Sequence, residues 1–508
     1  MNDKVASYRR ILKTSSIIGG ASVINILIGL VRTKIIAVLL GPAGIGLVSL
    51  YTGLMSTATA VATMGIGTIG TRQIAEAFSK DDERALAVVR RAMFWGALLL
   101  ATAGALVVWS LREVLAVRVL GGAEHATIVG WLALGVAISV AGASQGALIQ
   151  GMRRIGDMAR LSVYGSIFNT VLGVALLWQW GQAGLVAYVL IGPLVSFLLG
   201  HWYVSQLPKV AADPIAAQEM VHQWKTLLRL GIPFMGAGLV LALVQLWIRV
   251  EVGNTLGAES LGHFQAASTI SMQYIGFVLA AMGADYYPRL TGVIHDQKAA
   301  TRLVNEQTEI ALLLSAPVFI AMMGLTPRVI SLLYSEAFTP AVEVLRWQIL
   351  GDVLKVASWP LGFVILAAGA GKTFFLIETL VFLLMGGLIA GLLPVIGLQI
   401  TGIAFLVCYV VLLPLVYWLA KHRIAFQWQP NLTRLLLSIM VLCVLVAILS
   451  ARYWWGSIVA IVLTLLFGIY TFARLSHMSN LTGPVGKLGV IAYKFVTKIS
   501  ALINRPHA

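Results

Sequence analysis

The sequence predicts an all-α polytopic membrane protein with about 14 transmembrane helices. Three observations carry that reading. Of 508 residues, 59% are hydrophobic and only 11% charged, with a mean hydropathy of +0.90, and a soluble domain needs far more polar surface. The apolar residues come in repeated runs of about 20, the length of a helix that crosses a bilayer, and not in the short alternating segments of a β-barrel. The basic residues are also sorted between alternate loops.

In chain order the expected spans are 15–40, 44–70, 92–111, 126–150, 161–181, 183–206, 229–251, 261–286, 306–326, 344–369, 373–393, 400–420, 434–450 and 456–474. With the N-terminus in the cytoplasm, the inside segments carry 27 Lys and Arg and the outside loops 4, while five lie within spans. That asymmetry places both termini inside. It also accounts for the net charge of +16 without a nucleic-acid partner. Residues 1–13 are basic, but the apolar segment after them is too long for a removable signal peptide and no small-residue cleavage motif closes it. Cys408 and Cys443 fall inside spans and read as small apolar residues, not as a disulfide or metal pair.

The chain divides into an N-lobe of six helices (1–206), a linker (207–228), a C-lobe of six helices (229–422), a further helix pair (423–475) and a basic amphipathic cytoplasmic tail (476–508). The linker reads as a short interfacial helix with Asp213 as cap and Pro214 in its first position. In the tail, Lys487, Lys494 and Lys498 alternate with apolar residues, a pattern suited to the anionic inner leaflet. The two lobes look like a repeat. Leu40-Gly41 followed by Gly46 is matched by Leu256-Gly257 followed by Gly262, an offset of 216 residues. Met64-Gly65 then Arg72 is matched by Met282-Gly283 then Arg289. Arg32 and Lys34 have Arg249 and Glu251 as counterparts. Repeats of equal orientation are related by an axis along the membrane normal, a pseudo-two-fold around a central cavity in many transporters.

The first span holds two cations. A charge at the centre of a membrane helix costs about 2.5–3.5 kcal/mol on insertion scales. Two readings stand: Arg32 and Lys34 snorkel to the headgroups, or a water-filled cavity receives an anionic ligand. Ser22, Asn25, Gly29 and Arg32 share one helical stripe. Lys34 lies roughly 200° round the helix from Arg32, so a regular helix cannot aim both into one cavity.

Span ten places Gln348, Asp352, Lys355 and Trp359 on one face at spacings of four, three and four. Lys355 falls near mid-membrane. An intrahelical Asp352–Lys355 pair and a direct ligand role are both open. Pro360 is a candidate bend for gating. Arg249 and Glu251 at the end of span seven, and Arg346 at the start of span ten, suit either an outer-gate ion pair or interface anchoring. Glu378 lies one turn into span eleven. Asp285, four residues before Arg289, reads as an inner-face ion pair. Glu306 and Glu309 open span nine, where negative charge suits a helix N-terminus. Arg32, Lys34, Arg249, Arg346 and Lys355 outnumber Glu251, Asp352 and Glu378. The interior is therefore net cationic, which favours an anionic substrate such as one bearing phosphate and disfavours organic cations. The stretch Gly369–Thr373 mimics a nucleotide-binding loop, but Leu366 occupies the position that needs glycine. No catalytic or metal-binding motif is found, so any energy input falls to a proton or sodium gradient or the membrane potential.

KIIAVLLGPAGIGL (Lys34–Leu47), WQILGDVLKV (Trp347–Val356) and FFLIE (Phe374–Glu378) make residues 1–420 resemble the Wzx-type polysaccharide flippases of the MOP superfamily, in the group of O-antigen and enterobacterial-common-antigen translocases. Lys34 matches a cation common before L-G-P in that family. Arg32 matches an arginine in the first helix of MurJ-type lipid II flippases. The resemblance implies alternating access between two six-helix lobes in the bacterial inner membrane. It implies that an undecaprenyl-diphosphate-linked oligosaccharide is turned from the cytoplasmic to the periplasmic leaflet, with a polysaccharide polymerase and a chain-length regulator as partners. Substrate contacts would then fall to Arg32, Lys34, Asn25, Arg249, Gln348, Lys355 and Trp359. Asp352, Glu378 and Glu251 would serve as charge partners or proton carriers, and Arg346, Asp285, Arg289 and Pro360 as gate or hinge. The chain departs from many relatives by its two additional helices and basic tail. The alternatives are a cation or drug antiporter of the same superfamily, a membrane-embedded polysaccharide polymerase or ligase, which the short outside loops disfavour, and a non-transporting scaffold, which leaves the buried charges unexplained.

Overall fold

The computed structural model describes residues 2–208 and 217–479, with side chains over most of 17–475. The expected Asp213–Pro214 cap and the amphipathic tail lie outside the described residues. Within them the fold is all-helical. The first half runs α1 (Asn2–Thr63), α2 (Ile66–Ser79), α3 (Glu83–Ser110), α4 (Arg112–Leu120), α5 (Ala126–Gly151), α6 (Ile155–Trp180) and α7 (Leu185–Ser205). The second runs α8 (Ala217–Val293), α9 (Gln297–Leu333), α10 (Ala341–Ala367), α11 (Gly371–Ile396), α12 (Ile400–Ile424), α13 (Pro430–Arg452) and α14 (Gly456–Ser479).

Among the described residues, ten stretches are long and apolar enough to cross a membrane, and four of them run for 39–54 residues, about twice a single crossing. Each of the four breaks at one glycine of positive φ: Gly41 (65°), Gly181 (52°), Gly257 (85°) and Gly397 (72°). At Gly41 and Gly257 the ψ angle is extended, −174° and 167°, a combination essentially closed to residues with a Cβ. The breaks restore the fourteen expected crossings. They also fall in two pairs, Gly41 with Gly257 and Gly181 with Gly397. The second pair repeats the 216-residue offset where the surrounding sequence carries little likeness.

Several helices outrun the expected spans. α3 starts at Glu83, capped by Asp82, whose carboxylate accepts from Ala85 N (2.9 Å). α9 starts at Gln297, with Asp296 accepting from Lys298 N and Ala299 N (3.0 and 3.1 Å). Hydropathy marks where a helix meets lipid, whereas capping marks where it ends. The short α4, ended by Gly121 at φ 82°, was expected only as loop. The expected second span is interrupted at Met64–Gly65, both of positive φ, while the Met282–Gly283 counterpart runs on inside α8.

The chain forms two compact units: Met1–Gln265 with Leu333–Ala337, and Ala266–Leu332 with Phe338–Ala508. In the first, α5 packs against α3, α7, α2 and α1. The start of the second repeat joins it through a reciprocal contact. Gly46 lies against the Ala258 carbonyl and Gly262 against the Pro42 carbonyl, with no room for a Cβ at either. Both glycines and both carbonyls are 216 residues apart. In the second unit α10 is the core: it is buried round most of its circumference and packs on α12, α13 and α11. Gly351 against Phe405, and Gly402 against the Val344 carbonyl, bring α10 and α12 close. Small residues serve this purpose in lipid, where the hydrophobic effect does not drive helices together.

Candidate functional site

In the first unit the stripe on α1 meets α6 and α7. Asn25 donates to Ser162 Oγ (2.7 Å), and its Oδ1 is buried without a partner among the described residues. Together with Ser22, Gln150 and Arg153 it lines a cavity of about 350 Å³ among α1, α5 and α6. Seven residues on, Arg32 is half-buried and within electrostatic reach of Tyr188 on α7. Among the described residues it makes no hydrogen bond or ion pair. Lys34 points elsewhere. Its Nζ donates to the Tyr334 carbonyl (2.6 Å) at the end of α9. The helix is regular through residues 32–34, so the two cations diverge, as the 200° offset requires.

Arg249, the repeat counterpart of Arg32, is also half-buried, and its Nη1 lies over Gly53 on α1. It too has no hydrogen bond or ion pair among the described residues. Glu251 does not pair with it and accepts from Thr255 Oγ1 (3.4 Å).

The second unit gathers the polar face of α10. Asp352 is fully buried. One carboxylate oxygen accepts from Ser271 Oγ (2.7 Å) and Tyr274 OH on α8, and the other has no partner among the described residues. One turn away, buried Gln348 donates to Ser268 Oγ (3.1 Å), and its Oε1 has no partner among the described residues. Lys355 forms no ion pair with Asp352. Its Nζ lies over the rings of Phe405 (5.6 Å) and Tyr409 (5.8 Å) and 3.9 Å from Met272 Sδ. An ammonium over aromatic faces gains from the ring quadrupole, so α12 holds the cation that the acid does not. Glu378, half-buried on α11, lies within electrostatic reach of Lys355 and Tyr409.

Trp359 stacks on Tyr286 (6.4 Å) and meets Phe363 edge-on (4.5 Å), while Tyr286 OH donates to the Pro360 carbonyl (3.0 Å). This braces α10 at its proline, and the helix continues through it. Arg346 pairs with Glu343 (3.3 Å) and donates to Ser450 on α13 (2.9 Å). Asp285 and Arg289 form an exposed ion pair (2.9 Å). Glu306 pairs with Arg302 (2.7 Å) and Glu309 with Arg474 on α14 (3.0 Å).

The structure thus brings together Gln348, Asp352, Lys355 and Glu378, and separates Lys34 from Arg32. Sequence reasoning missed the residues that complete these groups: Ser162, Ser268, Ser271, Tyr274, Phe405, Tyr409 and Tyr334. None is charged, and each is remote in sequence from its partner. Ser268 and Ser271 at i, i+3, with Tyr274 three further on, form the only local pattern that pointed to a polar face on α8.

Residues 35–343 match the family described as polysaccharide biosynthesis protein. The chain belongs to that family. It is 24% identical to the lipid III flippase of Escherichia coli (strain K12) and, equally, to that of Shigella flexneri, over 78% of this chain and 95% of each relative. Among solved structures, the lipid II flippase MurJ in an inward closed conformation aligns with a TM-score of 0.72 at 14% identity, over 91% of this chain and 98% of MurJ. An inward-facing multidrug resistance MATE transporter of the MOP superfamily aligns at 0.68 and 17% identity, over 81% of this chain and 96% of that one. The family member described here therefore has the MOP transporter fold, and its relatives are flippases and transporters, not enzymes. It is a multi-pass membrane protein.

Proposed function

We propose that the protein flips a polyprenyl-diphosphate-linked oligosaccharide of the O-antigen repeat-unit type, from the cytoplasmic to the periplasmic leaflet of a bacterial inner membrane. Alternating access of two six-helix lobes would carry it, with both termini in the cytoplasm. The observation that carries the reading is the pair Arg32 and Arg249. Both lie within membrane spans, occupy matching repeat positions and have no described acid beside them. A guanidinium offers a fork of donors that fits phosphate oxygens, and a ligand diphosphate supplies the missing anions. Family membership and the likeness to lipid III flippases over nearly their whole length support the substrate class.

Lys355, with Gln348 and Trp359 on the same face of α10, is assigned to contacts with the glycan or its phosphates. Asp352 and Glu378 are the acids placed to carry a proton if a gradient drives the cycle. Arg346 and the Asp285–Arg289 pair are assigned to the gates. The test is deletion of the gene followed by leaflet-resolved assay of lipid-linked oligosaccharides. Complete repeat units trapped on the cytoplasmic face are expected. Units that reach the periplasmic face unpolymerised would overturn the assignment in favour of a polymerase. Unchanged glycolipids with retention of a cationic dye would do so in favour of a drug antiporter.

A further inference from the structure

Organic cations need a pocket that is both aromatic and acidic, and the net charge of the interior argues against them. Yet the second unit contains such a pocket, and Lys355 fills it. Phe405 and Tyr409 stand one turn apart on α12, with ring centroids 4.9 Å apart and planes inclined at 61°. The Lys355 ammonium lies over both rings, 5.6 and 5.8 Å from their centroids, and Met272 Sδ forms a third wall at 3.9 Å. Two acids rim this cage. Asp352, three residues earlier on α10, and Glu378 on α11 both lie within electrostatic reach of the ammonium and of Tyr409. Neither forms an ion pair with Lys355 among the described residues. Counted as ionised, the three charges leave the cage one net negative charge with Lys355 in place and two without it. Lys355 is half-buried and Met272 exposed, so the cage is open beside α8. A lysine that only packed its stem against apolar surface would need neither ring faces nor acids at its tip.

We propose that Lys355 is a specificity-determining residue. Its ammonium is a tethered cation that occupies a site built for alkylammonium or quaternary ammonium ions, and so keeps the free ions out. Aromatic faces, a polarisable thioether and nearby carboxylates are the groups that recognise such ligands. Specificity arises from excluding the wrong ligand as well as from holding the right one. Truncation to alanine removes three carbons and the ammonium, the atoms of a propylammonium ion, so Lys355→Ala leaves a vacancy that this ion fits in size and charge. The inference rests on the geometry of the cage and stands apart from the flipping reading, which concerns an anionic substrate.

The test is binding of radiolabelled propylammonium and tetramethylammonium to the full chain in phosphatidylcholine nanodiscs. The wild type and Lys355→Arg should bind neither ion measurably. Lys355→Ala should bind both saturably, at least about tenfold above the wild-type level, and propylammonium should raise its unfolding temperature. Neutral propan-1-ol should not compete. Binding should be lost again in Lys355→Ala/Phe405→Leu and in Lys355→Ala/Glu378→Gln. If Lys355→Ala is unstable on purification, propylammonium in the buffers should rescue it. Equal binding by the wild type and Lys355→Ala, binding that survives the Phe405 and Glu378 substitutions, or a variant that propylammonium neither stabilises nor rescues would each overturn the proposal.

Discussion

Arg32 and Lys34 stand two residues apart on one helix and have different fates. Lys34 Nζ donates a hydrogen bond to the Tyr334 carbonyl, an acceptor of the kind left free at a helix end. Arg32 finds no acceptor among the described residues, and neither does Arg249. A charge left so in a membrane span is a liability unless function requires it. Arg32→Ala is therefore expected to lower glycan export about tenfold or more, the loss of one charge-assisted contact of about 1.4 kcal/mol or above. The protein should persist in the membrane, since no hydrogen bond or ion pair to a described residue is lost. Lys355→Ala should act in the same direction. Its test is export scored against the amount of protein in isolated membranes, and wild-type export by both variants would sink the ligand role. These positions were legible in the sequence because charged residues are rare in apolar spans. Their partners were not, because Tyr274 and Ser271 reach Asp352 from α8, and Phe405 and Tyr409 reach Lys355 from α12.

Glycine governs the helices. Gly41, Gly181, Gly257 and Gly397 turn the chain at positive φ, and Gly46 and Gly262 let two helices touch backbone to backbone. The Leu-Gly…Gly pattern at 40–46 and 256–262 was visible as a repeat, yet sequence alone did not say that its first glycine breaks a helix and its second clears a crossing. A methyl group on Gly46 or Gly262 would overlap the facing carbonyl. The double substitution Gly46→Ala/Gly262→Ala should thus hold this crossing open and stop export, with membrane insertion unaffected. Reaction of a cysteine placed at Thr52 with a membrane-impermeant thiol reagent, on the Cys408/Cys443-free background, should increase. Unchanged reactivity together with normal export would show that the helices repack freely. Helix ends were less legible than helix centres: capping by Asp82 and Asp296 extends α3 and α9 beyond the apolar runs, where the sequence looks like ordinary polar loop.

Across the chain, charge and hydropathy predict the arrangement in the membrane. With 27 basic residues on one set of segments and 4 on the other, periplasmic reporters fused after Gly121 and Arg452 should be active, and cytoplasmic reporters after Arg154 and Asp296 should be active. A reversed pattern at any of the four would overturn the inside placement of the termini.

The sequence by itself determined that this is a helical membrane protein, where its crossings lie and that its two halves repeat. Those properties follow from how each segment partitions between lipid and water, and that depends on the segment alone. Only the tertiary structure decided that Lys34 leaves the α1 stripe and that Asp352 and Lys355 part company. In a medium without water, a polar group is settled by whichever neighbour can reach it, and the neighbours of Asp352 and Lys355 come from helices 50 to 83 residues away in the chain.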